Sequence, residues 1–368
     1  MLKKCLMIGL YFFSLLTPVF AINTAKIDVV RGKEAIADTD VVIIEEFLSE
    51  AFSEFFAKTD FSDIASLRST IVSKSTSATQ SGQILYGPKY IASAQKELAE
   101  TLKKVNALPD SFRKSLLTTN LLIVINDLAA VETSKLALDY IQNPNAIIRY
   151  WAVNSLTNSN ILAQINASSQ ETGRNIAQKL LDLAKNEQSP EILIILAQFA
   201  AELKQPLAND ILTTIAQKRI DGYLSWSVNA EMTDDWVLKA LADRTKTDSD
   251  NTKLMAGHFS SLYSLVIQRY VFGDQVLDEV SKNNLITVIV QAEKYVQIFI
   301  PDWSGNFKRA IEKSGSAALL AESEALFGSA GAAGKLPTTV GFDYGKNADG
   351  SAKTAPPELP KPEGNING

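Results

Sequence analysis

The sequence predicts an all-α fold, and three observations carry that expectation. Between Lys89 and Ser304 there are only four glycines (Gly173, Gly222, Gly257, Gly273) and five prolines, far fewer turn-formers than an all-β chain of that length needs. The prolines fall between apolar-periodic stretches, where they punctuate helices, rather than inside them. The apolar residues themselves recur at helical steps. Leu98, Leu102, Val105 and Leu108 form one such row, and Ile176, Leu180, Leu183 and Ala184 form another.

Taken in order, the chain opens with Lys3 and Lys4, an apolar run from Cys5 to Leu16, and Thr17-Pro18-Val19-Phe20-Ala21. A basic head, a short apolar stretch and small residues at Val19 and Ala21 are the layout of a secretory signal, with cleavage expected after Ala21. The run is short for a membrane span, so no transmembrane segment is expected once the signal is removed. The expected location is the periplasm or the cell exterior. Cys5 is the only cysteine, so the mature chain has no disulfide and no thiol chemistry. Loss of Lys3 and Lys4 leaves 34 basic residues against 41 acidic. That mild acidity disfavours nucleic acid as a partner, since a phosphate backbone needs a basic face.

Residues 22–108 read as an N-terminal helical region. Pro109-Asp110 opens a further helix. A break at Asn143-Pro144-Asn145 then separates a helix ending near Ile141 from one running Ala146 to Leu156. In that unit Pro144, Asn145, Ile148, Arg149, Ala152, Val153 and Leu156 stand at fixed offsets: proline, small polar residue, aliphatic-arginine pair, alanine, small apolar residue and leucine. This unit, about residues 131–157, resembles a HEAT repeat of the armadillo type, and the likeness extends loosely over 109–220. Thr172–Lys185 and Ser189–Leu203 read as the next hairpin, and Pro206–Lys218 as one more first helix. The resemblance implies an α-α superhelix of helical hairpins; the alternative from the irregular spacing is an irregular helical bundle. It also implies that an arginine such as Arg149 bonds to a neighbouring turn, and that Arg149 and Asn154 mark the partner surface on the face of second helices.

Residues 221–327 form a C-terminal helical region. Within it Tyr223, Trp226 and Trp236 cluster around Glu231, Asp234 and Asp235. Aromatic rings beside carboxylates form a candidate glycan site (Trp226, Glu231, Asp234, Asp235, Trp236). More often such residues are core anchors of a helix pair, here around a helix start at Thr233-Asp234-Asp235. Two further helices, Leu254–Phe272 and Leu285–Ile300, carry too many polar residues to span a membrane. The last stretch, 328–368, holds eight of the 18 glycines and five of the 12 prolines, and its composition predicts a disordered tail with a polyproline-like segment at Ala355–Pro362.

Catalytic patterns are scarce. His258 is the only histidine, which excludes multi-histidine metal centres. There is no Gly-x-Ser-x-Gly elbow and no phosphate-cradling loop ending in lysine-serine. No cofactor is expected. The sequence therefore points to an exported, non-enzymatic helical scaffold that binds a protein partner in the envelope or outside the cell. The alternative is an envelope glycan-binding protein or hydrolase using the carboxylates near Trp236.

Overall fold

The computed structural model describes residues 22–362 apart from Ser169. The expected signal sequence, residues 1–21, lies outside the described residues. The fold is all-α: seventeen α-helices, two 3-10 turns, one π-turn and a hairpin of two-residue strands make up the regular structure of the described residues. The described residues divide into two compact units, one up to Leu108 and one from Pro109 onward.

The first unit holds α1 (Ala25–Arg31), α2 (Asp38–Ala57), α3 (Phe61–Ser73) and α4 (Gln80–Asn106). α2 packs against the other three. Its face Ile44, Phe47, Leu48, Ala51, Phe52 and Phe55 is buried, as are Tyr86, Tyr90, Leu98 and Leu102 of α4. Of the helical row predicted from Leu98 to Leu108, Leu98, Leu102 and Val105 form a core stripe of α4, while Leu108 lies past the helix end and is half-buried. Both tyrosines bury their rings and still satisfy their hydroxyls, Tyr86 on the Lys74 carbonyl at 2.7 Å and Tyr90 on the Ile71 carbonyl at 2.6 Å. Pro88 sits inside α4, but on an exposed turn, where water can take the carbonyl it leaves unpaired.

The second unit begins with α5 (Phe112–Leu128), capped by Ser111, whose hydroxyl accepts from the Lys114 amide at 3.2 Å. α6 (Val131–Ser134) continues into a 3-10 turn over Lys135–Tyr140, so the predicted first helix ending near Ile141 is a tighter and less regular element. α7 (Ala146–Thr157) starts where Asn145 accepts from the Ile147 amide at 2.9 Å. Pro144 thus stands just ahead of the cap. α8 (Ser159–Ser168), α9 (Gln170–Asn186), α10 (Pro190–Glu202), α11 (Leu207–Leu224), α12 (Thr233–Thr247), α13 (Thr252–Phe272) and α14 (Glu279–Phe299) follow.

These helices pack in two layers. In one, α5, α7, α10, α12 and α14 each touch the next in that order; in the other, α9, α11 and α13 do the same. α10, α11, α12 and α13 also contact their chain neighbours across the layers. Small and aliphatic side chains fill the core of these packed helices, including Ala152, Val153, Leu156, Ile176, Leu180, Ala184, Ala197 and Ala201, all buried. Short alanines let helix axes approach while the longer residues fill the remaining volume. No helix among the described residues is long and apolar enough to cross a membrane.

Composition alone predicts disorder from Gly328 onward, and residues 328–362 depart from it. α15 (Phe307–Arg309) and a π-turn lead into α16 (Gly315–Phe327), a hairpin of β1 (Gly328–Ser329) and β2 (Ala332–Ala333), and α17 (Lys335–Val340). Leu336 and Leu359 are buried, and the Tyr344 hydroxyl donates to the Phe327 carbonyl at 2.8 Å. Composition misleads because two leucines and a few well-placed hydrogen bonds are enough to seat a chain on a surface that already exists. Gly328 is required there. Its φ is +106°, and a Cβ would collide with the Thr354 carbonyl oxygen.

Candidate functional site

One groove of about 510 Å³ crosses the layer made by α7, α10 and α12. Asn154, Asn158, Gln198, Glu202, Trp236, Lys239 and Asp243 are among its lining residues. It forms because the C-terminal ends of α7 and α10 stand beside the middle of α12, and each turns a polar stripe outward while its apolar stripe faces the seam. Phe199, buried, and Ile195, half-buried, supply the apolar floor.

Along the wall, carboxamides are linked. Asn154 Nδ2 donates to Asn126 Oδ1 at 3.0 Å, and Asn158 Nδ2 donates to the same oxygen at 3.3 Å and to the Asn126 carbonyl at 3.2 Å. Facing them on α12, Trp236 keeps 39% of its surface exposed. Asp243 lies between Lys239 and Lys246, with Lys246 Nζ at 2.7 Å. Partial burial pushes the Asp243 carboxyl up, but the two ammonium hydrogen bonds outweigh it and its pKa is lowered. It is an anion at neutral pH.

Arg149, the other residue predicted for the partner surface, points elsewhere. Its guanidinium forms a two-pronged pair with Glu187, Nε to Oε2 and Nη2 to Oε1 both at 2.9 Å. Nη1 donates to the Asn143 and Pro144 carbonyls at 2.9 and 3.1 Å. Glu187 is buried and also accepts from the Gln188 and Ser189 amides. Burial pushes its carboxyl up, yet Arg149 and those amides win, and its pKa is lowered. Arg149 therefore ties the turn before α7 to the turn before α10, and does not share the groove with Asn154.

The five candidate glycan residues are divided by the fold. Asp234 is fully buried: Arg219 reaches it with Nε at 2.6 Å and Nη2 at 2.9 Å, and the Tyr223 hydroxyl donates to it at 2.6 Å. Glu231 is buried 3.9 Å from Arg269 Nη2. Trp226 has φ +57°, and its indole N–H donates to the Pro360 carbonyl at 2.7 Å. Asp235 is half-buried and accepts from the Tyr295 hydroxyl at 2.9 Å. Desolvation raises its pKa against the opposing pull of Tyr295 and two lysines. Only Trp236 opens onto the groove. One helical step, about 100°, sends Asp234 into the core and Asp235 to the α14 side.

Asn126, Asn158, Gln198 and Glu187 were not singled out by the sequence. The available signal was weak: polar residues at positions three or four apart on otherwise apolar helices, which solvated faces show as well. His258 lies away from the groove, in a shallow depression of the other layer with Lys185 and Lys218. Burial lowers its pKa. Asn166 uses its carboxamide on the Lys204 amide and the Glu202 carbonyl at 2.8 and 3.1 Å. Among the described residues no group of three or more histidines, cysteines, aspartates or glutamates is placed to hold a metal ion. Compared with known proteins, the chain matches no family model, no curated protein and no solved structure.

Proposed function

We propose that this protein is an exported, non-enzymatic scaffold whose helical hairpins, HEAT-like in the unit of about residues 131–157, hold a protein partner along the groove of α7, α10 and α12. The observation that carries the reading is the composition of that groove. It sets an exposed indole, Trp236, opposite the carboxamides of Asn154 and Asn158. A carboxamide both donates and accepts hydrogen bonds: Asn154 spends an amide hydrogen on Asn126 and can offer its oxygen to a polypeptide N–H, while Asn158, bonded to Asn126 and to the Ile161 amide, holds the wall in place. Exposed tryptophan is enriched at the energetic centres of protein interfaces. The carboxylates near Trp236 favour binding over hydrolysis, because Asp234 is consumed by Arg219 and Asp235 by Tyr295. Export rests on the signal-like residues 1–21.

The test is affinity capture with residues 22–368 as bait against envelope and secreted fractions of the native host, run beside the Trp236→Ala variant. A stoichiometric protein partner that the wild type retains and the variant loses, at equal thermal stability, supports the scaffold. Enrichment of glycan fragments without a protein partner replaces it with the glycan-binding reading.

A further inference from the structure

The chain's own proline-rich end lies across the other layer as a bound peptide would. Gln268 of α13 reads two backbone groups of this segment at once: its Oε1 accepts from the Leu359 amide at 2.7 Å and its Nε2 donates to the Pro357 carbonyl at 3.0 Å. Nε2 also donates to Ser264 Oγ at 3.0 Å, which fixes the orientation of the carboxamide. Leu359 is 3% exposed, whereas Glu358, Pro360 and Lys361 on either side of it face water. The Trp226 indole N–H then takes the Pro360 carbonyl at 2.7 Å.

The Trp226 ring is held in place for this contact. Arg269 lies 5.3 Å from its centroid and 5.6 Å from that of Tyr223. Arg269 is buried, with Nε and Nη1 making no hydrogen bond. The left-handed backbone at Trp226 is one that a bulky residue rarely adopts. Upstream, the chain is anchored independently of the strap: Thr354 Oγ1 donates to the Ser329 carbonyl at 2.7 Å, and Tyr344 and Lys353 pair with each other's turn. Only the stretch after Thr354 depends on Gln268, Trp226 and the Leu359 socket.

A carboxamide that clamps a carbonyl and the amide two residues on, one buried leucine, and an indole N–H on a proline carbonyl are the elements of recognition for an extended proline-rich peptide. We infer that the α11–α13 face around Trp226, Gln268 and Arg269 is a peptide-binding site for segments of the form Pro-x-Leu-Pro, occupied in cis by Pro357-Glu358-Leu359-Pro360. A proline-rich segment of a protein partner is the occupant it admits when the strap lifts. The site lies on the layer opposite the α7–α10–α12 groove and stands or falls separately from it.

The test uses the full chain carrying Leu359→Asp and a fluorescein-labelled synthetic peptide with the sequence of Thr354–Pro362, followed by anisotropy. A tethered strap competes at millimolar effective concentration, so the variant should bind the peptide at least about tenfold more tightly than the wild type. Gln268→Ala added to the variant, or aspartate in place of the peptide's leucine, should abolish that gain. A folded variant that binds no better than wild type, or that binds the aspartate peptide equally well, overturns the inference. Hydrogen exchange on the unmodified chain is the second measurement. The Leu359 amide should exchange through local opening, about a hundredfold or more faster than amides in the middle of α13. Exchange at the same rate as those core amides means that the strap never lifts, and also overturns it.

Discussion

The turn between α11 and α12 and the groove on α12 are built from the same kinds of side chain, tryptophan beside carboxylates and cations, yet they handle charge in opposite ways. In the turn the charges are taken out of water and matched one to one. Asp234 is saturated by Arg219 and Tyr223, and the Trp226 indole is spoken for by Pro360. In the groove the charges stay wet. Trp236 is exposed, and Lys239, Asp243 and Lys246 make a ladder along the helix surface. The difference teaches that a cluster of aromatic and acidic residues in a helical sequence has no fixed meaning. A buried, fully paired carboxylate holds structure, and a ring left exposed beside solvent-facing polar groups can bind.

The comparison breaks most readily at Asp234. Asp234→Ala leaves Arg219 buried without its counter-charge, which costs about 3–5 kcal/mol. Urea unfolding should show a correspondingly lower midpoint, and a loss under about 1 kcal/mol would mean that the turn is wetter than it looks. Arg149→Ala comes next, at about 2 kcal/mol, because it removes charge-assisted hydrogen bonds to Glu187 and two turn carbonyls. Glu187 gives that contact a pH signature. Its folded-state pKa is depressed, so its contribution is present above the unfolded carboxylate value and is lost as pH falls through the folded one. Thermal melts of wild type and Glu187→Gln should therefore differ at pH 7 and converge in acid.

Asp235 should behave in the reverse sense. Its folded pKa is raised by desolvation, so the native state binds its proton more tightly and stability falls as pH rises through that window. Asp235→Asn keeps an acceptor for Tyr295 and removes the buried charge. A melting temperature slightly above wild type at pH 7, with the gap closing towards pH 4, is the expected result. The smallest effect belongs to the groove. Trp236→Ala should change stability by no more than about 0.5 kcal/mol while weakening partner capture. A large loss of stability there would move Trp236 from the binding face to the core.

Much of the helical plan was legible residue by residue. The helices expected over Ala146–Leu156 and Ser189–Leu203 start at Ala146 and Pro190, where the Asn145 side-chain acceptor and a missing proline amide suit the first turn, whereas the helix expected to open at Pro109-Asp110 starts only after the Ser111 cap. Ile176, Leu180, Leu183 and Ala184 are buried because a 3.6-residue period places them on one face. The 3-10 turn at Lys135–Tyr140 was not legible, since its apolar spacing suits a regular helix equally well. The candidate site was legible only in part. Asn154 and Trp236 were named for different reasons and meet in one groove, while Arg149 was named with Asn154 and turns away from it.

Local sequence carries the secondary structure class and several helix starts of the second unit, because periodicity, caps and the placement of glycine and proline act within a few residues of chain. The tertiary structure decided which polar residues are partners. Arg149 and Glu187 are 38 positions apart, Trp226 and Pro360 are 134 apart, and Gln268 and Leu359 are 91 apart. No local pattern records such a pairing, because a hydrogen bond depends on distance and direction in space, and only the packing of layers brings these groups within 3 Å.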